Sequence, residues 1–483
     1  MNRRMIFYTL GKMIKLEAAI LVLPLIVSLI YKEPDALSFL ITVLISLALG
    51  FLLTLVFKSK NKVIYAKEGF AIVALTWITI SAVGALPFVI SGSIPNYIDA
   101  FFETVSGFTT TGASIVKDVT ALPHGILFWR SFTHWIGGMG VIVFIMAIVP
   151  SLTDRSIHIL RAEMPGPIIG KLVPKAKDTA KILYLIYIVI TALEFILLLL
   201  GGMPVFDSLI HSFGTAGTGG FGIKPNCLQD YSPYCKWVIT IFMLIFGVNF
   251  NLYYFILLKR IKSVFKNCEL WLYLALFVIA SAVISFNIYS IYKTVSETVL
   301  QSSFQVASII TTTGYSTADF NQWPTLSKTV LLILMFFGGC AGSTAGGLKI
   351  QRVVMLYKSV KRELLKMLHP SSVSTVKLDG KSVDNPTLNS TNIYFAIYIG
   401  LLFIVFILIS LENKFSIETN FSAAVSCFNN VGPGFGTVGP LGNYSAYSGF
   451  SKMVLSFAML FGRLEIYPLL FTLIPSVWTK GRF

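Results

Sequence analysis

Four short stretches of this chain could do chemistry with their backbone rather than their side chains. They read SGFTTTGAS (106–114), FGTAGTGGFG (213–222), SIITTTGYST (308–317) and FNNVGPGFG (428–436), and each lies between two long apolar stretches. A cation that sheds its water needs oxygens in exchange, and main-chain carbonyls supply them without burying a full negative charge. Glycine permits the backbone angles that turn successive carbonyls toward one axis. The candidate cation-binding residues are Thr110, Thr111 and Gly112; Gly217, Thr218 and Gly219; Thr312, Thr313 and Gly314; and Asn430, Val431 and Gly432. The threonine hydroxyls either support the loops or line the path. No acidic residue sits at these positions, which argues against a carboxylate ring of the kind that selects calcium. A single T-x-G reads as an ordinary turn. Four of them, each following a short segment on one side of a membrane, read as a filter. The fourth loop departs most, with Asn429, Asn430, Val431 and Pro433 where the others carry threonine and small residues.

The elements that must hold these loops are membrane-spanning helices. The chain is 55% hydrophobic and only 12% charged, with mean hydropathy +0.77. Apolar stretches of roughly 20 residues, the length that crosses a bilayer core, recur along it. Spans are predicted near 17–31, 36–57, 68–91, 124–150, 181–202, 235–258, 270–293, 327–357, 391–411 and 447–478. Segments near 96–108, 204–216, 296–310 and 417–429 are too short to cross and read as re-entrant. Asn96 with Asp99, Asp207, Ser296, and Glu418 with Thr419 mark their N-termini by capping and by the helix dipole. Their C-terminal ends then point inward together, which favours a cation at the meeting point. The expected fold is an all-α membrane protein of four parallel helix–pore-loop–helix units around a central pore, preceded by two extra transmembrane helices. The divisions are 1–67 for the extra helices, 68–180 for unit one with its following loop, 181–269, 270–390 and 391–483.

A net charge of +16 invites a nucleic-acid reading, but its distribution excludes one. The basic residues cluster in alternate loops, as the positive-inside rule demands. Arg3, Arg4, Lys12 and Lys15 come first, then Lys58, Lys60, Lys62 and Lys67. Arg155, Arg161, Lys171, Lys175, Lys177 and Lys181 follow, then Lys259, Arg260, Lys262 and Lys266, and finally Lys349, Arg352, Lys358, Lys361, Arg362 and Lys366. Both termini are therefore expected in the cytoplasm and the four loops near the outer face. The tract 349–366 could also meet anionic lipid or a cytosolic partner.

Two further features lie at membrane depth. GGCAGSTAGG (338–347) interrupts the eighth span with small residues that make a poor helix. It reads either as a movable flap below the filter, with Gly338, Gly339, Gly342, Ser343, Thr344, Ala345, Gly346 and Gly347 forming a gate, or as close packing between helices. Arg463 lies midway along the last apolar stretch, where a charge is costly and faces a cavity or a partner. It would repel a cation, hold the flap through its carbonyls, or pair with a buried carboxylate. Glu465, two residues on, would not share its helix face. Arg130 reads as a structural tie to pore-helix ends. Cys227 and Cys235 share one loop and could pair, whereas Cys268, Cys340 and Cys427 read as packing residues. The five histidines form no metal-binding spacing, and neither a nucleotide loop nor a nucleophile–base set is present, so no organic cofactor is expected.

Taken together with FWRSFTHWIGGMG (128–140), RAEMPGP (161–167), GGCAGSTAGGLKIQR (338–352) and GRLEIYPLLF (462–471), the loops resemble the TrkH/KtrB superfamily of potassium transporters over nearly the whole chain. The two extra spans resemble the TrkH branch. The resemblance implies four linked units similar to potassium-channel pore subunits and a potassium ion as the transported species. It also implies an intramembrane gate at 338–347 with Arg463 beneath the filter, and a homodimer in the bacterial inner membrane. A TrkA-like cytosolic nucleotide-binding ring would control the gate. The filters are not TVGYG, so weakly selective sodium/potassium permeation and ion-coupled symport stand as alternatives. An intramembrane enzyme would need a convergent His, Asp or Cys cluster that the sequence lacks. A membrane anchor without flux would leave the four loops without a purpose.

Overall fold

The computed structural model describes residues 2–58, 66–140, 176–370 and 375–478. The expectations for 141–150, for Arg155, Arg161, Lys171, Lys175, Lys60 and Lys62, and for the RAEMPGP stretch lie outside the described residues. The fold is helical, with one small exception. Lys377–Leu378 pairs antiparallel with Lys381–Ser382 across a turn in which Asp379 and Gly380 both have positive φ, as a two-residue hairpin of that hand requires.

The chain begins with two packed helices. Arg3–Ile20 runs almost without interruption into Val22–Tyr31, so the first span starts well before the predicted residue 17. It packs on Ala36–Val56 through a close crossing at Gly11 and Gly50. A Cβ on either glycine would stand 3.0 Å from the carbonyl oxygen of the other. Small residues let helix backbones approach this closely in lipid.

Four repeats of one arrangement follow. The long first helices are Lys67–Ile90, Ala180–Leu200, Cys268–Tyr292 and Asn385–Ser410. Leu185, Leu200, Phe286, Ile404 and Ile407 are exposed on the last three of these, which suits a lipid-facing ring of apolar side chains. The first of the four is buried instead, because the extra pair packs against it: 67% of its apolar window is covered, against 22–33% for the other three. Each long helix is followed by a short one: Tyr97–Phe108, Val205–Gly217, Val295–Ile310 and Ile417–Phe428. Asn96 caps the first by accepting from Ile98 N–H. Ser416 rather than Glu418 or Thr419 caps the fourth, accepting from Thr419 N–H. Asp207 lies in the first turn of the second, and the third starts after Thr294 with Glu297, not Ser296, as its first-turn acid.

The second helices of the last three units are shorter than predicted. The helix His124–Gly138 ends ahead of the undescribed stretch. The expected span 235–258 is two helices, Pro233–Phe246 and Phe250–Leu257, bent by 90°. The expected span 327–357 is Thr325–Leu334 and Ile350–Leu368 with irregular chain between. The expected span 447–478 is Gly449–Arg463, then Tyr467–Leu473 and Pro475–Trp478. Hydropathy runs on through each of these breaks, but the backbone does not.

Candidate functional site

The four short helices end in the same turn. Thr110, Thr218, Thr312 and Asn430 all adopt the left-handed conformation, with φ of 56°, 56°, 54° and 56°. The next residue in each case donates its N–H to the carbonyl five residues back: Thr111 to Ser106, Gly219 to Gly214, Thr313 to Ser308 and Val431 to Ser426, at 2.8–2.9 Å. This is the Schellman closure of a helix, with an unusual non-glycine residue at its left-handed position. The glycine that follows has positive φ again: Gly112, Gly220, Gly314 and Gly432.

The turn corrects the register expected for the second loop, Gly217–Gly219 with Gly219 as its central glycine. In the second loop the equivalent triplet is Thr218, Gly219 and Gly220, one residue later than Gly217–Gly219. Gly217 instead closes its helix against the first unit, where a Cβ would stand 2.2 Å from the carbonyl oxygen of His134. A pocket of about 160 Å³ repeats the register: Gly112, Gly220, Gly314 and Gly432 line it, and Gly219 does not.

These glycines fit together in a ring. A Cβ on Gly112 would stand 2.0 Å from Gly219 O; on Gly220, 2.1 Å from Thr313 O; on Gly314, 2.2 Å from Val431 O; and on Gly432, 2.5 Å from Thr111 O. Each unit's glycine thus abuts the carbonyl of the next unit, and the fourth returns to the first. Backbone at this depth is tolerated only inside protein or beside a watery path. Four carbonyl-bearing turns held edge to edge offer a cation oxygens with no fixed charge among them.

Buried side chains behind the ring hold it. Thr109 and Thr111 share a hydroxyl bond of 2.8 Å, and Thr311 and Thr313 repeat it at 2.7 Å. In the fourth loop, Asn430 Nδ2 donates to Thr111 Oγ1 at 3.0 Å and to Met459 O at 2.9 Å, while Tyr444 Oη donates to Gly432 O. Arg130 and Glu103 form a buried ion pair of 2.8 Å, and Arg130 also donates to Ser114 Oγ and Gly222 O. It ties the middle of the first short helix to the chain beyond two loops, rather than tying helix ends. His134 had no pattern to mark it. Its Nδ1 is 2.8 Å from Gly107 O, and its ring fills the space beside Gly219 and Phe221. Cys227 and Cys235 are both free thiols. Cys235 Sγ turns to Gly201 O and Cys227 Sγ accepts from Ser316 N–H, so the pairing left open by their spacing is not made.

On the other side of the ring lies the stretch 338–347. It is irregular, and a parallel bridge between Phe337 and Leu348 closes its neck. Its backbone is fastened to the second unit and to its own. Cys340 N–H donates to Gly247 O at 2.9 Å and Phe250 N–H to Gly342 O at 3.1 Å, so the 90° bend of the second unit receives the loop. Glu269 Oε1 accepts from Ala341 N–H and Gln351 N–H. Lys349 Nζ donates to Ala345 O, and Gly346 N–H donates to Thr312 Oγ1 at 2.7 Å. Gly338, Gly339, Ser343, Thr344 and Ala345 are buried, Gly342 and Gly347 partly so.

Arg463 ends the last long helix at this level. Its Nη1 donates to Thr344 O at 2.7 Å, and its Nη2 to Gly137 O at 2.5 Å and Gly138 O at 2.6 Å. Of the three roles left open for it, holding the loop by its carbonyls matches this geometry. The nearby carboxylate pairs elsewhere: Glu465 binds Arg352 at 2.5 Å, with the guanidinium 3.9 Å over the Tyr394 ring. Among the described residues no group of three or more His, Cys, Asp or Glu could hold a metal ion. Any cation here would depend on carbonyls and hydroxyls.

An all-helical, multi-pass membrane protein with four such units is the class that this fold defines. The chain matches the family described as "TrkH: Cation transport protein" over residues 36–480, and it belongs to that family. It is 38% identical to the Trk system potassium uptake protein TrkH of Salmonella typhimurium and 37% to that of Escherichia coli K12, over 99% of this chain and 100% of each relative. It is also similar, at 32% identity over 98% of both chains, to the Trk system potassium uptake protein TrkG of Escherichia coli K12. The crystal structure of the potassium transporter TrkH from Vibrio parahaemolyticus superposes with a TM-score of 0.88 at 31% identity, covering 99% of this chain and 100% of that one.

Proposed function

We propose that this protein takes up potassium across the bacterial inner membrane through a channel-like path. Both termini lie in the cytoplasm and the pocket lined by Gly112, Gly220, Gly314 and Gly432 faces outward. The carrying observation is the closed cycle of four glycine–carbonyl contacts. A potassium ion reaching it would trade water for the carbonyls of Thr111, Gly219, Thr313 and Val431 and their neighbours. A negative interior favours this direction by about 2.3 kcal/mol per 100 mV for one charge. The loop 338–347, fastened by Arg463, stands across the path as the gate. A homodimer and a TrkA-like cytosolic nucleotide-binding ring are the partners this reading carries over, with the ring acting on the gate.

The test is rubidium uptake by proteoliposomes under a potential negative inside. Uptake that potassium blocks at much lower concentration than sodium supports the reading. A second reading, weak discrimination between sodium and potassium, rests on the fourth loop, where Asn430 and Val431 replace the Thr–Thr pair. Equal competition by the two ions would favour it.

A further inference from the structure

The left-handed residues of the four turns differ in what their side chains do. Thr218 Oγ1 bonds to the adjacent Gly217 O. Thr110 Oγ1 and Asn430 Oδ1 are buried and have no hydrogen-bond partner. Thr312 Oγ1 has one, and it belongs to the loop below: Gly346 N–H, at 2.7 Å. Asn430 Oδ1 lies beside the same residue, 2.9 Å from where a Cβ on Gly346 would stand and 2.7 Å from where one on Gly462 would stand. One hydroxyl oxygen that bonds Gly346 and one unpartnered amide oxygen beside it thus come from adjacent turns. The Asn430 amide cannot turn away, because its Nδ2 is fixed by Thr111 and Met459.

A backbone N–H is a small positive dipole, and the oxygen that accepts it is the oxygen that could coordinate a cation. A buried acceptor left without either partner is unfavourable. We propose that Thr312 Oγ1 and Asn430 Oδ1 form a side-chain site for a dehydrated alkali cation between the carbonyl ring and the gate, and that when the gate is shut Gly346 stands in it with its N–H on the Thr312 hydroxyl. Withdrawal of the loop frees the Thr312 hydroxyl and opens the space beside Asn430 Oδ1. The moving loop thereby exchanges its own N–H for the passing ion, and discrimination depends on whether the gate is open. This proposal rests on the potassium-uptake reading. It adds that a filter residue of the third unit, Thr312, is also the gate's latch.

Thr312→Ala removes the hydroxyl, and Thr312→Ser keeps it with one methyl fewer. Both are tested as full-length protein in proteoliposomes, with thermal midpoints to show that each is folded. In the protein alone, Thr312→Ala should raise rubidium uptake by roughly two- to tenfold, the range one net hydrogen bond controls. It should also lower the preference for potassium over sodium in competition. Thr312→Ser should recover most of both properties. In a background lacking residues 339–346, the same alanine should no longer raise uptake but should still lower the preference, because the latch is gone and the ligand is not. If folded Thr312→Ala keeps wild-type uptake and wild-type preference, the site is overturned while the potassium-uptake reading stands. If serine behaves as alanine does, the hydroxyl is not the cause and the proposal fails. If the wild-type protein passes no rubidium, the parent reading falls and takes the site with it.

Discussion

The ring and the level beneath it are built from the same four units, yet they differ in how far those units agree. At the ring, each short helix ends in a left-handed residue, each following N–H reaches five residues back, and each glycine abuts the next unit's carbonyl. Below it, the units diverge. The first contributes the carbonyls of Gly137 and Gly138, the second a 90° bend, the third an irregular loop and the fourth an arginine. Under the proposed reading, coordination needs repetition around an axis, whereas a gate needs one unit to move and the others to hold it. At the left-handed position of the ring only Asn430 departs from threonine, and it lies beside Gly346, where the two levels touch.

The largest effect should come from breaking the repetition. Gly220→Ala forces a Cβ into Thr313 O, and backbone has little room to yield. Gly202 has nearly the same φ, 80° against 78°, but nothing within reach of its Cβ. Gly202→Ala therefore carries only the conformational cost, roughly 1–2 kcal/mol. Rubidium uptake should be lost or made unselective in Gly220→Ala and retained in Gly202→Ala. If the two behave alike, crowding at the ring is not what matters.

Removing the loop proposed as the gate should act next. A folded protein without residues 339–346 should pass rubidium faster than wild type with little need for a cytosolic partner. Unchanged flux would mean that these small residues serve helix packing. Arg463 should follow. It makes charge-assisted bonds to three carbonyls, each worth about 1.5–3 kcal/mol, so Arg463→Ala should raise unstimulated flux by more than about tenfold. Lysine keeps the charge but not the planar fork of donors. Arg463→Lys should resemble alanine if the bonds hold the loop, and wild type if repulsion of the ion does. Recordings in which both variants match wild type would remove Arg463 from the gate.

The smallest effect is expected at Glu465. Its pair with Arg352 fixes the turn after Arg463, where Glu465 and Ile466 both have positive φ. Glu465→Gln should lower stability by about 1–3 kcal/mol, read as a thermal shift in detergent, with a modest rise in leak. A stabilised variant would show that the pair is not what sets this turn.

Much of this arrangement was legible in the sequence. Threonine and glycine crowded between apolar runs announce the loops, and an arginine in the last apolar stretch announces itself by its cost. The register of the second loop was not legible. GTAGTGG offers glycine at 217, 219 and 220, and only closure against the third unit's carbonyl selects Gly220. The bend between Phe246 and Phe250 was missed because hydropathy measures composition, and Gly247-Val248-Asn249 barely lowers it. The first helix begins at Arg3 although Arg3, Arg4, Lys12 and Lys15 interrupt its hydropathy. His134 looked solitary because its partners, Gly107 and Gly219, come from other elements.

The central claim is that four equivalent turns make one selective cation path. The most direct measurement is the competition of potassium and sodium against rubidium uptake in proteoliposomes, for the wild-type protein beside Gly112→Ala, Gly220→Ala, Gly314→Ala and Gly432→Ala. Strong preference for potassium is expected in the wild type, and loss of uptake or of preference in every one of the four. Wild-type uptake with no preference, or any folded glycine variant that keeps full preference, would contradict it.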